Sequence, residues 1–183
     1  MKQHLNAVDI AIVSIFCAIF AALSLTLGPL SFNLFRLPIL HDFAASFSLL
    51  LVTWLVGKFG AASIVGVIGS IIAILVRPIP PIQVGFIVSA IVFDLLMSIN
   101  RNRLYANAYN VIVSALVTAA SAYLAGVVIG IFLMGMPLDM TTLQWALTFW
   151  GGWHLIGGIV TVAITLPVIG VLEKANARRI KNP

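Results

Sequence analysis

Apolar residues run along this chain in six long blocks, separated by short clusters of glycine, proline and charge. Each block is long enough to be read as a helix in or across a bilayer. The first covers about 8–27 and stops at Gly28-Pro29, a pair that breaks helices. The second, about 39–56, lies between Pro38 and Gly57-Lys58. The third, about 61–76, is short for a span and closes at Arg77-Pro78-Ile79-Pro80-Pro81. The fourth, about 82–99, ends at Asn100-Arg101-Asn102-Arg103, and the fifth, about 107–134, at Gly135-Met136-Pro137. The sixth, about 143–172, leads into a basic tail, 173–183. The expected fold is therefore an all-α membrane protein: residues 1–183 form one integral membrane domain, a six-span helical bundle.

Within the blocks, certain faces depart from uniform apolarity. The first carries Ser14, Ala18 and Ala22 at a spacing of four. Small residues so placed let another helix approach closely, either inside the bundle or from another subunit. In the third, Ala62, Gly66 and Ser70 read as internal packing. The fifth has a polar stripe, Asn107, Asn110, Ser114, Thr118 and Ser121 with Ala125, within about 80° of arc. Five polar residues on one face exclude a lipid-facing role. They either line a cavity or satisfy themselves on the helix backbone.

The start of the sixth block, Thr141 to Gly158, gathers three of the four tryptophans and a histidine. His154 follows Trp145 by roughly 14 Å of helix, which sets it near the middle of a ~30 Å hydrocarbon core. An ionisable residue at that depth is expensive and marks a functional site by default. At about 100° per residue, Trp150, His154, Gly157 and Thr161 share one face, while Trp145, Phe149 and Trp153 share the next.

Composition narrows the class. The chain is 62% hydrophobic and 8% charged, against about 25% charged in soluble domains; its mean hydropathy is +1.16. The net charge of +5 does not point to nucleic acid, because the basic residues sit at helix ends and not along one face. With the N-terminus cytoplasmic, Lys2, Lys58, Arg101, Arg103, Lys174, Arg178, Arg179 and Lys181 fall inside, and only Arg36 and Arg77 outside. That imbalance orients the chain with both termini cytoplasmic. The first block is too long for a signal peptide and lacks a small-x-small cleavage site, so it reads as a span. A lone cysteine, Cys17, excludes an internal disulfide.

The remaining ionisable residues are few. His41 and Asp42 open the second block near the outer surface, where Asp42 favours a helix start. Asp94, deep in the fourth, is expected to pair with Arg101 or Arg103 at the inner end. Of the two outer cations, Arg36 is the stronger candidate for an anionic ligand group, in an amphipathic 28–38 loop folded over the bundle's mouth. No Gly-x-Ser turn supports intramembrane serine proteolysis, and Asp42 and Asp94 lie too far apart to hold a catalytic metal. Haem ligation is disfavoured because His41 looks much shallower than His154. A metal cargo could be held only by the scattered His41, Asp42 and Asp139, a poor ligand set.

Size, span count and orientation resemble the substrate-binding S components of energy-coupling factor (ECF) transporters. Their Ala-x-x-x-Ala motif in the first span is matched by Ala18-Ile19-Phe20-Ala21-Ala22, and Gly57-Lys58-Phe59-Gly60-Ala61-Ala62-Ser63-Ile64-Val65-Gly66-Val67-Ile68-Gly69 resembles their second-to-third span region. The resemblance implies a non-enzymatic subunit in a prokaryotic plasma membrane, without cofactor or resident metal. It would bind a small water-soluble vitamin or related micronutrient at the outer face. Ser14, Ala18 and Ala22 would dock on a membrane coupling (T) subunit, itself driven by cytosolic ATPase subunits. For the substrate, the expected walls are Trp150, Trp153 and His154, with Asn110, Ser114 and Thr118 opposite and Arg36 at an anionic group. Aromatic walls favour a ring-containing ligand. The alternative is a self-sufficient small transporter or channel using Asp94 and His154 for protons or cations; a ligand-free scaffold is a third class.

Overall fold

A computed structural model describes the backbone of residues 4–78, 80–100, 103–134 and 139–181. The described chain is helical throughout, its elements joined by short turns. Helix α1 (Ala7–Phe35) starts at a capping box: the Asn6 side chain accepts from the Asp9 N–H, and the Asp9 carboxylate accepts from the Asn6 N–H. It then continues past Gly28-Pro29 for two further turns, to Arg36 in the left-handed region at φ 58°. The expected 28–38 loop is thus mostly helix. Pro29 removes one N–H and crowds the carbonyl four residues back. Leaving the helix there would orphan several backbone groups where no water can take them, a larger cost. The corner to α2 (Ile39–Val56) is only residues 36–38. Ser31 closes it, its Oγ donating to the Leu37 carbonyl at 2.6 Å and accepting the Leu40 N–H at 3.1 Å.

Gly57 and Gly60, both at positive φ, turn the chain into α3 (Ala61–Val76). Then come α4 (Pro80–Ile99), α5 (Ala108–Met134) and α6 (Met140–Trp145), which Asp139 caps by accepting the Thr142 N–H at 2.8 Å. That bond holds the exposed Asp139 carboxyl below the usual range. A π-helical stretch, Ala146–Trp150, joins α6 to α7 (Gly151–Lys181). Five helical stretches are long and apolar enough to cross a membrane, as befits a multi-pass membrane protein; the 16-residue α3 falls short.

The long helices close into a ring. α1 packs on α2 and α3, α3 on α4, α4 on α5, α5 on α7, and α7 returns to α2, which also touches α3. Small residues make the seams: a side chain at Gly66 would collide with Ala90, and one at Gly69 would come within 2.6 Å of the Phe20 ring. Ala62, Gly66 and Ser70 are buried, as read from their spacing. Ser14, Ala18 and Ala22 face outward, with the Ser14 hydroxyl returned to the Ile10 carbonyl.

The end where α1 begins and α7 finishes is knitted by polar contacts. Lys58 pairs with Asp9 at 2.5 Å, and Trp54 Nε1 donates to Glu173 at 3.0 Å. Asp94 differs from expectation. Its carboxylate accepts the backbone N–H groups of Gly60 and Ser63, each at 2.9 Å, so it caps α3 from a neighbouring helix. Arg101, its expected partner, lies outside the described residues, and the Arg103 side chain is exposed. The physical reason is proximity: the first turn of α3 presents free N–H donors that a buried carboxylate satisfies directly. Replacing this acceptor, Asp94→Ala, should cost about 2 kcal/mol. Thermal unfolding of the detergent-solubilised protein will read this as a lowered midpoint, whereas an unchanged midpoint would remove Asp94 from the account of α3.

Candidate functional site

At the opposite end, the first turn of α2 carries His41 and Asp42 into the ring, and α7 brings His154 to meet them. His154 Nδ1 is hydrogen-bonded to Asp42 Oδ1 at 2.6 Å, with both side chains at 1% exposure or less. Each of the three polar residues sits against a glycine. A Cβ at Gly28 would come within 3.1 Å of the His41 ring, one at Gly126 within 2.7 Å of His154, and one at Gly157 would strike the Asp42 carboxylate. On α5 the stripe Ala122, Gly126 and Gly130 lets the π stretch and α7 approach closely enough to seat His154. Phe86 fills the space between the histidines, its ring centroid 4.5 Å from His41 and 6.1 Å from His154.

Two expectations are corrected by this geometry. Asp42 does lie in the first turn of α2, but it is the fully buried partner of His154 and not a surface residue. His41 is also not much shallower than His154: the two rings flank Phe86 from either side.

Beside this centre is a cavity of about 210 Å³, between the last turns of α1 and the first turns of α2 and α4. Ser24, His41 and Gln83 line it, with Leu25, Pro29, Phe32 and Ile82 as apolar wall. Its mouth holds Arg77 and Asn33, both exposed. Ser24 Oγ, His41 Nε2 and Gln83 Oε1 are buried and have no hydrogen-bond partner among the described residues. The same holds behind the wall for Asp42 Oδ2, His154 Nε2 and Trp150 Nε1.

The residues picked out from sequence are dispersed around this cavity. Trp150 is half-buried, 6.0 Å from His154 and 6.3 Å from Phe32 between ring centroids, and so touches the cavity wall from behind. The π stretch brings both Phe149 and Trp150 onto Trp145, at 5.5 and 5.6 Å, a crowding that a regular α-turn would not give. Trp153 faces an outer groove with Phe149 and Ile156. Arg36 is exposed and does not line the cavity; Arg77 does. The fifth-helix stripe points inward from Asn110 onward, yet the three members expected to meet a substrate are spoken for. Asn110 bonds Asn100 at 2.8 Å, Ser114 donates to the Leu104 carbonyl at 3.3 Å, and Thr118 to the Ser114 carbonyl at 2.7 Å. Asp139 is engaged in its cap, and the described residues hold no group of three His, Cys, Asp or Glu suited to a metal. Ser24 gave no sequence signal. Gln83, an amide in the first turn of an apolar block, was a detectable one.

Comparison with family models, curated proteins and solved structures found no match to this chain.

The Asp42–His154 bond ties α2 to α7 where water is absent. Truncating either partner leaves a polar group buried without compensation, so Asp42→Ala and His154→Ala should each cost about 3 kcal/mol. The double variant should cost clearly less than the sum, and a double-mutant cycle on denaturation midpoints measures that coupling. Strict additivity would show the bond to be energetically idle.

Proposed function

We propose that this chain is the substrate-binding S component of an ECF-type importer in a prokaryotic cell membrane, with six spans and both termini cytoplasmic. It captures a small water-soluble micronutrient outside and delivers it inward with a membrane coupling subunit and cytosolic ATPases. The observation that carries the reading is the cavity at the end away from the Lys58, Arg103 and Lys174 cluster, walled by buried polar atoms without partners. Basic residues gather on the cytoplasmic side of membrane proteins, so this cavity opens outward. A concave site, mostly apolar with a few convergent polar groups, is the usual form of a small-molecule site. The α3 helix, about 24 Å long, crosses as a sixth span with its ends supported by neighbours.

Substrate contacts come from Ser24, His41, Gln83 and Arg77, with Trp150 and His154 bracing the wall. The outward stripe of Ser14, Ala18 and Ala22 gives the coupling subunit a close-approach face. The alternative ion path finds no comparable support, since Asp94 is held by two backbone donors at the end of the bundle away from His154.

Two measurements test the proposal. Mass spectrometry of the purified protein should reveal a retained micronutrient. In reconstituted vesicles, Ala18→Trp should cut uptake about tenfold or more while leaving ligand binding by the isolated subunit unchanged. Uptake that needs neither ATP nor partner subunits would refute the assignment.

A further inference from the structure

Of the buried polar atoms without partners among the described residues, Thr53, Ser70, Ser121 and Thr165 are scattered singly along helices and do not line this cavity. Short hydroxyls usually fall back on their own helix, as Ser48 and Thr118 do. Ser24, His41 and Gln83 are different. They come from three helices, each is more than nine-tenths buried, and all face one cavity. Leaving a buried group unpaired costs about 1–3 kcal/mol. Three such groups around one space mark a site that a ligand completes.

The chemistry of that ligand can be read from the two ends of the cavity. At depth, the Gln83 carbonyl oxygen needs a donor, the Ser24 hydroxyl takes either role, and His41 Nε2 offers one more polar contact. At the mouth stands Arg77, with no acidic partner among the described residues. Of the other described ionisable side chains at this end, Asp42 and His154 are bonded to each other behind the wall, Arg36 repeats the charge and Asp139 is occupied by its cap. Between the ends the wall is Leu25, Pro29, Phe32 and Ile82. A cation would meet Arg77 unfavourably, and a hydrocarbon would leave all three deep groups unpaired. The volume, about 210 Å³, lies below the ~300 Å³ at the lower limit of drug-sized sites and excludes nucleotides and larger cofactors.

We propose that the cavity takes a single-ring carboxylate: its anionic group at Arg77, its flat body along Phe32 and Ile82, and at its inner end an amide-like group that both donates and accepts hydrogen bonds. This rests on the cavity being the substrate site of the importer proposed above. The test uses the full-length protein in lipid nanodiscs without partner subunits, titrated calorimetrically with three probes. These are 4-acetamidobenzoate, acetanilide (which lacks the carboxylate) and benzoate (which lacks the amide). 4-Acetamidobenzoate should bind about tenfold or more tightly than either fragment. Arg77→Gln, an exposed change, should weaken 4-acetamidobenzoate about tenfold and leave acetanilide unchanged. Gln83→Leu should weaken the two amide probes and spare benzoate. No saturable binding at millimolar concentration, equal affinity for all three, or a loss in Arg77→Gln that ignores the carboxylate would each overturn the proposal. Partner-independent uptake would instead refute the S-component reading and leave this ligand class standing.

Discussion

Away from the polar end, the ring of helices closes at one buried polar bond. α2 and α7 are distant in sequence, and where they meet beside the cavity Asp42 and His154 are joined at 2.6 Å out of reach of solvent. A bond between such groups has a direction and a length that apolar side chains lack, so it fixes the register of one helix against the other. The glycines opposite its two members show how closely the surrounding helices conform to it: Gly126 and Gly157 leave room for a ring and a carboxylate where a methyl group would not fit. His41, one residue before Asp42, is thereby held at the cavity wall. The same bond thus places one of the three unpartnered polar groups that line the cavity.

A second constraint acts on the backbone. Where water is scarce, each N–H and C=O must find a partner within the chain. This explains why α1 runs through Gly28-Pro29 and why Ser31 gives its hydroxyl to the next corner. It also explains why Asp94 serves the first turn of α3. Against that economy, Ser24, His41 and Gln83 stand out, because their buried polar atoms have no partner among the described residues and share one cavity.

The two ends of the bundle therefore differ in kind. Around Lys58 and Asp94, polar groups answer one another, and the lower part of the α5 stripe belongs to that closed network. Around the cavity several do not, and among the described residues that line it the one charged side chain at the mouth is Arg77. This contrast between an open end and a closed one is what supports the proposed substrate-capturing role.

The sequence by itself determined the helical class and the apolar blocks, because a long run of apolar residues has one low-energy form where backbone groups cannot reach water. The face of α3 that packs inward was legible too, since small residues at a spacing of four need no tertiary information; the α1 stripe was legible as a close-approach face, but its exposure came only from the structure. The site was legible only in fragments. His154 was marked by its cost, but its partner Asp42 is more than a hundred residues away, and no local pattern joins them. Asn110, Ser114 and Thr118 read as cavity-lining because periodicity tells which face a residue is on, not what lies opposite it. Gln83 and Ser24 became a site only when three helices brought them to one space. Partnerships across helices depend on register and depth, and those were decided by the tertiary structure through a proline that did not break its helix, a π turn, and one buried hydrogen bond.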